Sequence, residues 1–212
     1  FAAGQSGTIL HSDRETWSVN TSVTTFDINA LWGRYGDWMM TAGEGMRTYI
    51  YDGSEWNDPG GDGVTLLYDL WGFSESDVWG VGAYGRIYHF DGSGWTFAAN
   101  PDQEWLWGVW GPGPRDVFAV GSSGRIFRLV DGAWTRMESG TDMQLIGVWG
   151  TSAMNVFAVG VNGTMLHFDG YRWENVEVPA SRTLYSIFGF DTGELIAVGE
   201  YGTVIRFDGE SW

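Results

Sequence analysis

The sequence predicts an all-β propeller made of four-stranded antiparallel blades, in six repeat copies. Three observations predict it: a 39-residue repeat, short apolar runs bounded by turn-forming residues, and no window with a convincing helical period. A propeller blade needs four short strands in about 40 residues, whereas a solenoid of this period would usually need helices. The repeat is clearest in tryptophans spaced 39 residues apart: Trp17, Trp56, Trp95, Trp134, Trp173 and Trp212.

A second aromatic series keeps the same period, so coincidence does not explain the first. Its members are Trp32, Trp71, Trp110, Trp149 and Phe188. The third copy shows the whole unit, "LWGFSESDVWGVGAYGRIYHFDGSGWTFAANPDQE". Gly, Asp, Ser and Pro divide it into four apolar runs, which is typical of the strands of a β-meander. These runs lie near residues 68–72, 77–82, 86–90 and 94–98.

The number of blades follows from two motifs. The second and third strands, which end in "AVGxxGxIxxFDG", occur six times, but the first-strand motif "(L/V/I)(W/F)G" occurs five times. We therefore expect one domain over 1–212, with six blades, in which the first copy lacks its innermost strand and the sixth its outermost. The units are approximately 1–27, 28–66, 67–105, 106–144, 145–183 and 184–212. In the alternative, residues 16–22 add an outer strand to 184–209 and close a five-bladed ring.

Composition narrows the classes of partner. The formal charge is −16, and all eleven basic residues are arginine. Nucleic acids and anionic lipids are normally bound by a basic face, so we expect neither nucleic-acid binding nor membrane insertion. The absence of cysteine excludes disulfides and thiolate catalysis. Because the chain opens inside a repeat and without an initiator methionine, we expect a mature fragment or a trimmed chain.

An aspartate recurs at the turn between the third and fourth strands. Its carboxylate can accept backbone N–H groups of the turn, while a following glycine takes positive φ without penalty. One carboxylate per turn falls far short of the six to eight oxygens that Ca²⁺ takes, so we expect a structural role and no metal. The residues are Asp13, Asp52, Asp91, Asp131, Asp169 and Asp208.

The repeated tryptophans are predicted to lie between neighbouring blades, where each would bury on the order of 200 Å². Trp107 aligns with Tyr68 and Ile146 and is expected to be packing. Trp105 differs, because Leu66 and other non-aromatic residues stand at its place in the other copies. It falls in a connection between blades, and so it is a candidate for ligand binding.

No catalytic or metal constellation is evident in the sequence. His11, His89 and His167 hold equivalent positions in different blades and cannot converge on one ion. Asp102 and Glu104 are the pair of acids that a glycosidase interpretation would use, and two neighbouring acids in an acidic protein support it weakly. We therefore predict no enzymatic activity, no cofactor and no metal.

Variable residues concentrate in the loops between the second and third strands, which share one face with the connections between blades. These loops read "GQSG", "GEG", "GAYG", "GSSG", "GVNG" and "GEYG", a glycine frame around changing residues. A rigid frame with variable tips is a common way to build a binding surface. With Trp105, the candidate ligand-binding residues are Glu44, Tyr84, Ser123, Asn162, Glu200 and Tyr201. Asp62, Asp102, Glu104 and Asp142 lie in the longer connections of the same face.

The phrase "FAAGQSGTILHSDRETW" resembles the repeats of Asp-box (BNR) propellers and of propellers of the photosystem II assembly factor type. The resemblance covers all six copies, although His11, Ile50 and their equivalents stand where a full Asp-box has Ser or Thr. It implies a turn-locking role for the aspartates and a bacterial protein that is secreted, periplasmic or on the cell surface. Sialidases of this kind use an arginine cluster and a Tyr nucleophile activated by Glu, and no such set is evident here.

These observations predict a non-catalytic propeller that binds a protein or a carbohydrate on its loop face. Protein ranks above carbohydrate because a lectin built from repeats would repeat its site, and here the loop tips differ from copy to copy. The alternatives are an Asp-box-type glycan-processing hydrolase and a structural propeller segment of a larger surface protein. Oligomeric state is left open by the sequence.

Overall fold

The structure is a computed structural model, and it describes residues 1–20, 23–34, 37–59, 64, 66–99, 102–190 and 193–212. Within the described residues every regular element is a β-strand or a single turn of 3₁₀ helix. No helix among them is long and apolar enough to cross a membrane. The chain divides into two compact units, residues 1–100 and 101–212.

The first unit holds three antiparallel sheets, numbered here in chain order. Sheet 1 contains β1 (Ala2–Ala3), β2 (Ile9–Ser12) and β3 (Trp17–Asn20). Sheet 2 contains β4 (Ile28–Arg34), β5 (Trp38–Gly43), β6 (Thr48–Tyr51) and β7 (Trp56–Asn57). Sheet 3 contains β8 (Leu67–Ser74), β9 (Asp77–Gly82), β10 (Ile87–Phe90) and β11 (Trp95–Ala99).

The second unit holds three more sheets of the same design. Sheet 4 contains β12 (Leu106–Gly113), β13 (Asp116–Gly121), β14 (Ile126–Val130) and β15 (Ala133–Met137). Sheet 5 contains β16 (Leu145–Ser152), β17 (Asn155–Gly160), β18 (Met165–Phe168) and β19 (Trp173–Asn175). Sheet 6 contains β20 (Leu184–Gly189), β21 (Leu195–Gly199) and β22 (Val204–Phe207).

The six sheets confirm the predicted six-bladed propeller of four-stranded antiparallel blades. In the described chain the first and sixth sheets have three strands each, as the motif count predicted. The five-bladed alternative is wrong, because Trp17–Asn20 pairs with Ile9–Ser12 inside sheet 1. The strand that would have completed the sixth blade is thus already used by the first.

The turn aspartates cap the hairpins between third and fourth strands. The Oδ1 atom of Asp52 accepts the backbone N–H of Ser54 at 2.9 Å and that of Glu55 at 3.0 Å. These bonds favour the charged carboxylate and, led by the one from Glu55, lower the pKa of Asp52 from its ordinary 3.8 to about 2. Backbone and side-chain bonds lower the pKa of four other members in the same way: Asp13, Asp91, Asp169 and Asp208.

Asp131 also lies in the turn between the third and fourth strands, but with a geometry different from that of the other turn aspartates. Val130 pairs with Ala133, so the loop has only two residues, and Asp131 and Gly132 both have positive φ, at 49° and 85°. That is the geometry of a type I′ hairpin, in which Asp is tolerated in the left-handed region itself. The sequence carries the signal, since Asp131 stands three residues before its tryptophan and Asp91 stands four before Trp95.

Within each unit, repeated tryptophans pack a blade against the preceding one. The ring of Trp56, in sheet 2, lies edge-on to Phe1 with centroids 6.2 Å apart. Trp173, in sheet 5, lies edge-on to Phe118 of sheet 4 at 6.3 Å. Both are buried, with 8% and 6% of their surface exposed. Trp95, Trp134 and Trp212 are half-buried.

Trp17 is an exception to the predicted interblade role, because 60% of its surface is exposed. The rings of Trp56 and Trp173, in contrast, each contact the sheet of the repeat before their own.

The three histidines fill one position inside their blades. His89 Nε2 lies 2.7 Å from Asp77 Oδ1, and His167 Nε2 lies 2.7 Å from Asn155 Oδ1. Arg128 takes the same place in sheet 4 and binds Asp116 with two bonds of 2.8 Å. This position therefore ties the third strand to the start of the second, and the described residues hold no group of three or more His, Cys, Asp or Glu placed to bind a metal.

Candidate functional site

Six equivalent loops connect the second and third strands, and each contains one turn of 3₁₀ helix. At the same end of each sheet lies the connection that enters the first strand. These two features make up the loop face in the repeats. The turns span Gln5–Gly7, Glu44–Met46, Ala83–Gly85, Ser122–Gly124, Val161–Gly163 and Glu200–Gly202.

The glycines that frame these loops lie so close to backbone carbonyl oxygens that a side chain would clash with them. A Cβ added to Gly121 would lie 2.2 Å from the Trp105 carbonyl oxygen, and one added to Gly124 would lie 1.8 Å from that of Thr141. The first contact is with the strand-entry connection of the same blade, and the second is with the connection to the next blade. The Ser122 N–H donates to the Trp105 carbonyl at 2.9 Å. The loop is therefore held rigidly from both sides.

The residue between the glycines is forced into the left-handed backbone region. Its φ is 60° at Tyr84, 53° at Ser123, 56° at Asn162 and 54° at Tyr201. Asparagine tolerates this conformation, whereas for a bulky residue it is an outlier that carries strain. Tyr84 and Tyr201 occupy it all the same, with 59% and 84% of their surfaces exposed. More than half of the surface of each tyrosine is therefore accessible at the tip of its loop.

A β-bulge at the start of each first strand adds a second set of residues to the same end. In sheet 4 the pairing jumps from Leu106↔Gly121 to Gly108↔Val120, which leaves Trp107 outside the ladder. Bulges of this kind re-aim a side chain and are frequent near functional sites. Sequence alignment assigned Trp107 to packing and did not detect the bulge. The equivalent residues in the other sheets are Asn29, Tyr68, Ile146 and Tyr185.

In the second unit, Trp105 and Trp107 form an aromatic pair at this end of sheet 4. Their ring centroids are 5.6 Å apart. The Trp107 Nε1–H donates to the Ser122 hydroxyl at 3.0 Å, which fixes this ring against the loop. Trp105 is 38% exposed and presents the accessible part of the pair. The structure thus brings the candidate residues Trp105 and Ser123 to neighbouring loops of one blade.

The acids of the entering connection are engaged in local structure. Asp102 Oδ2 accepts from Arg125 Nε at 2.6 Å, and its Oδ1 accepts the Glu104 N–H at 2.8 Å. Arg125 also donates to the Ser123 carbonyl at 3.1 Å. Asp102 therefore orders the loop that carries Ser123. This role accounts for its position without a reacting carboxyl pair.

Tyr201 and its neighbours form the corresponding end of sheet 6. The Arg182 guanidinium lies over the Tyr201 ring, 5.1 Å from its centroid. The Glu200 N–H donates to the Thr183 carbonyl at 2.8 Å and anchors the turn. In sheet 5 the Asn162 amide lies 3.7 Å from the Met143 sulfur. Arginine and exposed rings at these tips are the residue types enriched at protein interfaces.

In the first unit the candidates Glu44 and Tyr84 lie near Tyr68, the bulge residue of sheet 3. Burial raises the pKa of the Tyr68 hydroxyl, and the charges of Tyr84 and Glu44 raise it further. Asp62, proposed from the sequence for this face, lies outside the described residues.

A cavity of about 420 Å³ lies at the opposite end of the second unit. Among the described residues, none of the side chains that line it is titratable. The residues that line it are Trp149, Gly150, Thr151, Gly189, Phe190 and Gly193.

Comparison with known proteins supports the fold. No family model matches the sequence, and no curated protein matches it. Among solved structures, the crystal structure of the WD40 β-propeller domain of Doa1 is similar, with a TM-score of 0.78 and 12% sequence identity. The superposition covers 99% of this chain and 75% of that chain. At this identity the similarity shows a shared propeller fold.

Proposed function

We propose that this propeller is a non-catalytic binding module that contacts a protein ligand through its loop face. The observation that carries the proposal is Tyr201, which is 84% exposed in a left-handed conformation that asparagine would adopt more easily. Strain held by a rigid frame at an exposed tip supports selection for binding. Arg182 over the Tyr201 ring, and the exposed part of Trp105, add the residue types of interface hot spots.

The residues at the loop tips differ from blade to blade, and this favours a protein ligand over a carbohydrate. A lectin built from repeated blades would be expected to repeat, in each blade, the aromatic residue that stacks on the sugar. Here the left-handed residue is serine, asparagine or tyrosine in different blades. The hydrolase alternative is less favoured, because Asp102 is bound by Arg125 and caps the Glu104 N–H.

Site-specific photo-cross-linking tests the proposal. A benzophenone amino acid replaces Tyr201 in one variant and Tyr171 in a second. Tyr171 is 85% exposed but sits in the turn between third and fourth strands, at the opposite end of its sheet. In extracts of the cells that produce the protein, we expect a discrete protein adduct from position 201 and only background from 171. Equal patterns from both positions would contradict the loop-face assignment.

A glycan array and a panel of glycosidase substrates test the competing functions. Several equivalent glycan hits per chain would favour a lectin. Turnover that disappears in Asp102→Asn would establish the hydrolase and overturn the non-catalytic assignment.

A further inference from the structure

The cavity of about 420 Å³ in the second unit is lined by residues of sheets 5 and 6, at the end opposite the loop face. Trp149 and Thr151 line it from β16, and Phe190 follows directly after β20. The other lining residues are glycines, which add no side chain to the space: Gly150, Gly189 and Gly193. A volume of this size is within the range of small-molecule sites.

Two aromatic rings form walls of the cavity, and both are held in place. The Trp149 ring packs over Gly189, where an added Cβ would lie 2.2 Å from the indole. The Phe190 N–H donates to the Glu194 carbonyl at 2.9 Å, and the Phe190 carbonyl accepts the Gly193 N–H at 3.0 Å. Aromatic rings attract other rings in offset or edge-to-face arrangements. These walls therefore favour an aromatic ligand.

The hydroxyl of Thr151 is the polar side-chain group of the lining, and a relay of hydrogen bonds orients it. Thr151 Oγ1 accepts from Asn155 Nδ2 at 2.7 Å, and Asn155 Oδ1 lies 2.7 Å from His167 Nε2. Because a carbonyl oxygen can only accept, His167 donates, and this fixes which end of the Asn155 amide faces Thr151. A hydroxyl that accepts one bond still has its own hydrogen to donate. Thr151 therefore offers a donor to an acceptor atom in the cavity.

Charge and volume narrow the class of ligand further. The described side chains that line the cavity include no titratable group, so a charged ligand would lose water there without gaining an ionic partner. The formal charge of −16 also opposes the approach of an anion. A dry cavity of about 150 Å³ is sufficient for benzene, so this larger space accommodates two fused rings.

We propose that this cavity binds a small neutral molecule that has two fused aromatic rings and a hydrogen-bond acceptor. The rings contact Trp149 and Phe190, and the acceptor takes the hydrogen of the Thr151 hydroxyl. The site is at the opposite end of the unit from the loop face, so its occupancy does not require a protein ligand there.

A fluorine NMR titration of the full chain with 6-fluoronaphthalene-2-carboxamide tests the proposal. This probe has two fused rings, no charge and a carbonyl acceptor. We expect saturable binding with a Kd of about 1 mM or tighter, as is usual for a ligand of this size. The matched anion, 6-fluoronaphthalene-2-carboxylate, should bind at least about tenfold more weakly, because its charge is not compensated in the cavity.

A pair of glycine variants tests the location. Gly193→Asn adds a side chain at a lining position and should abolish saturable binding of the amide probe. Gly132→Asn is the matched control, since Gly132 lies in the turn between β14 and β15 and is not a lining residue. Both glycines have a φ of 85°, a region that asparagine tolerates, and nothing lies within 4 Å of a Cβ added to either. Equal binding by Gly193→Asn and wild type, or no saturable binding by wild type, would overturn the site.

Variants of Thr151 test the chemistry of recognition. Thr151→Val keeps the shape of the side chain but removes the donor, so the affinity for the amide probe should fall about three- to tenfold. Thr151→Ser keeps the hydroxyl and should retain most of the affinity. An unchanged affinity in Thr151→Val, or equal binding of the amide and the carboxylate, would overturn the proposed ligand class.

Discussion

Gly124 lies directly under the backbone carbonyl of Thr141: a Cβ on this glycine would sit 1.8 Å from the carbonyl oxygen. Its φ of 65° adds a second conflict, because that region disfavours a side chain. We predict that Gly124→Ala lowers the free energy of unfolding by about 2–4 kcal/mol. Gly113→Ala is the control, since nothing lies within 4 Å of its added Cβ. Equal losses in urea denaturation would show that the frame glycines are not held by these carbonyls.

The ion pair between Arg128 and Asp116 provides a second prediction. The guanidinium makes two bonds of 2.8 Å to the carboxylate and lies 4.9 Å from the centre of the Phe118 ring. Both side chains are only about one-fifth to one-quarter exposed, at 20% and 24%. Asp116→Ala leaves a partly desolvated cation and should lower the unfolding free energy by about 1–3 kcal/mol.

The matched comparison is Glu174→Ala, which removes the partner of Arg172 in a pair whose side chains are 74% and 54% exposed. Exposed pairs contribute little, so this change should cost less than about 0.5 kcal/mol. A larger effect at Glu174 than at Asp116 in thermal denaturation would contradict the argument from burial.

The roles of the repeated residues could be predicted from the sequence because the same residue type recurs at the same spacing. Trp56 and Trp173 recur at one spacing and perform one packing task, and Asp52 carries a turn signal that depends only on its neighbours. The exposure of Trp17 could not be predicted in this way. The 39-residue spacing makes the six rings equivalent in the repeat and does not say which surface each ring contacts.

The sequence predicted where the loops between the second and third strands lie, but not which contacts hold their backbone. The glycine frame located Tyr84 and Tyr201, but their left-handed backbone depends on carbonyls from the strand-entry connections, which are distant in sequence. The bulge that sets Trp107 outside the ladder depends on strand register. Register and long-range carbonyl contacts are tertiary properties, so single-sequence patterns do not reveal them.

Acid should destabilise the protein through its turn aspartates. The folded-state pKa of Asp52 is about 2, below its ordinary 3.8. A lowered carboxylate pKa stabilises the fold fully above the ordinary value, and that stabilisation is lost as pH falls through the folded value. We therefore expect the melting temperature to drop between about pH 4 and pH 2. Asp52→Asn keeps an acceptor oxygen but cannot titrate, so its melting temperature should depend less on pH in this range. An unchanged pH slope in that variant would contradict the assignment.

Tyr201→Asn separates stability from binding at the loop face. Asparagine relieves the left-handed backbone at a φ of 54°, while the Arg182 contact that is lost is exposed and weak. We therefore predict an unfolding free energy that is unchanged or raised by up to about 1 kcal/mol. The loop-face protein adduct, read from a benzophenone at position 123, should be lost in the same variant. Tyr171→Asn, at the opposite end of sheet 5, should leave that adduct intact. A fall in stability without a change in the adduct would mean that Tyr201 serves the fold and not the ligand.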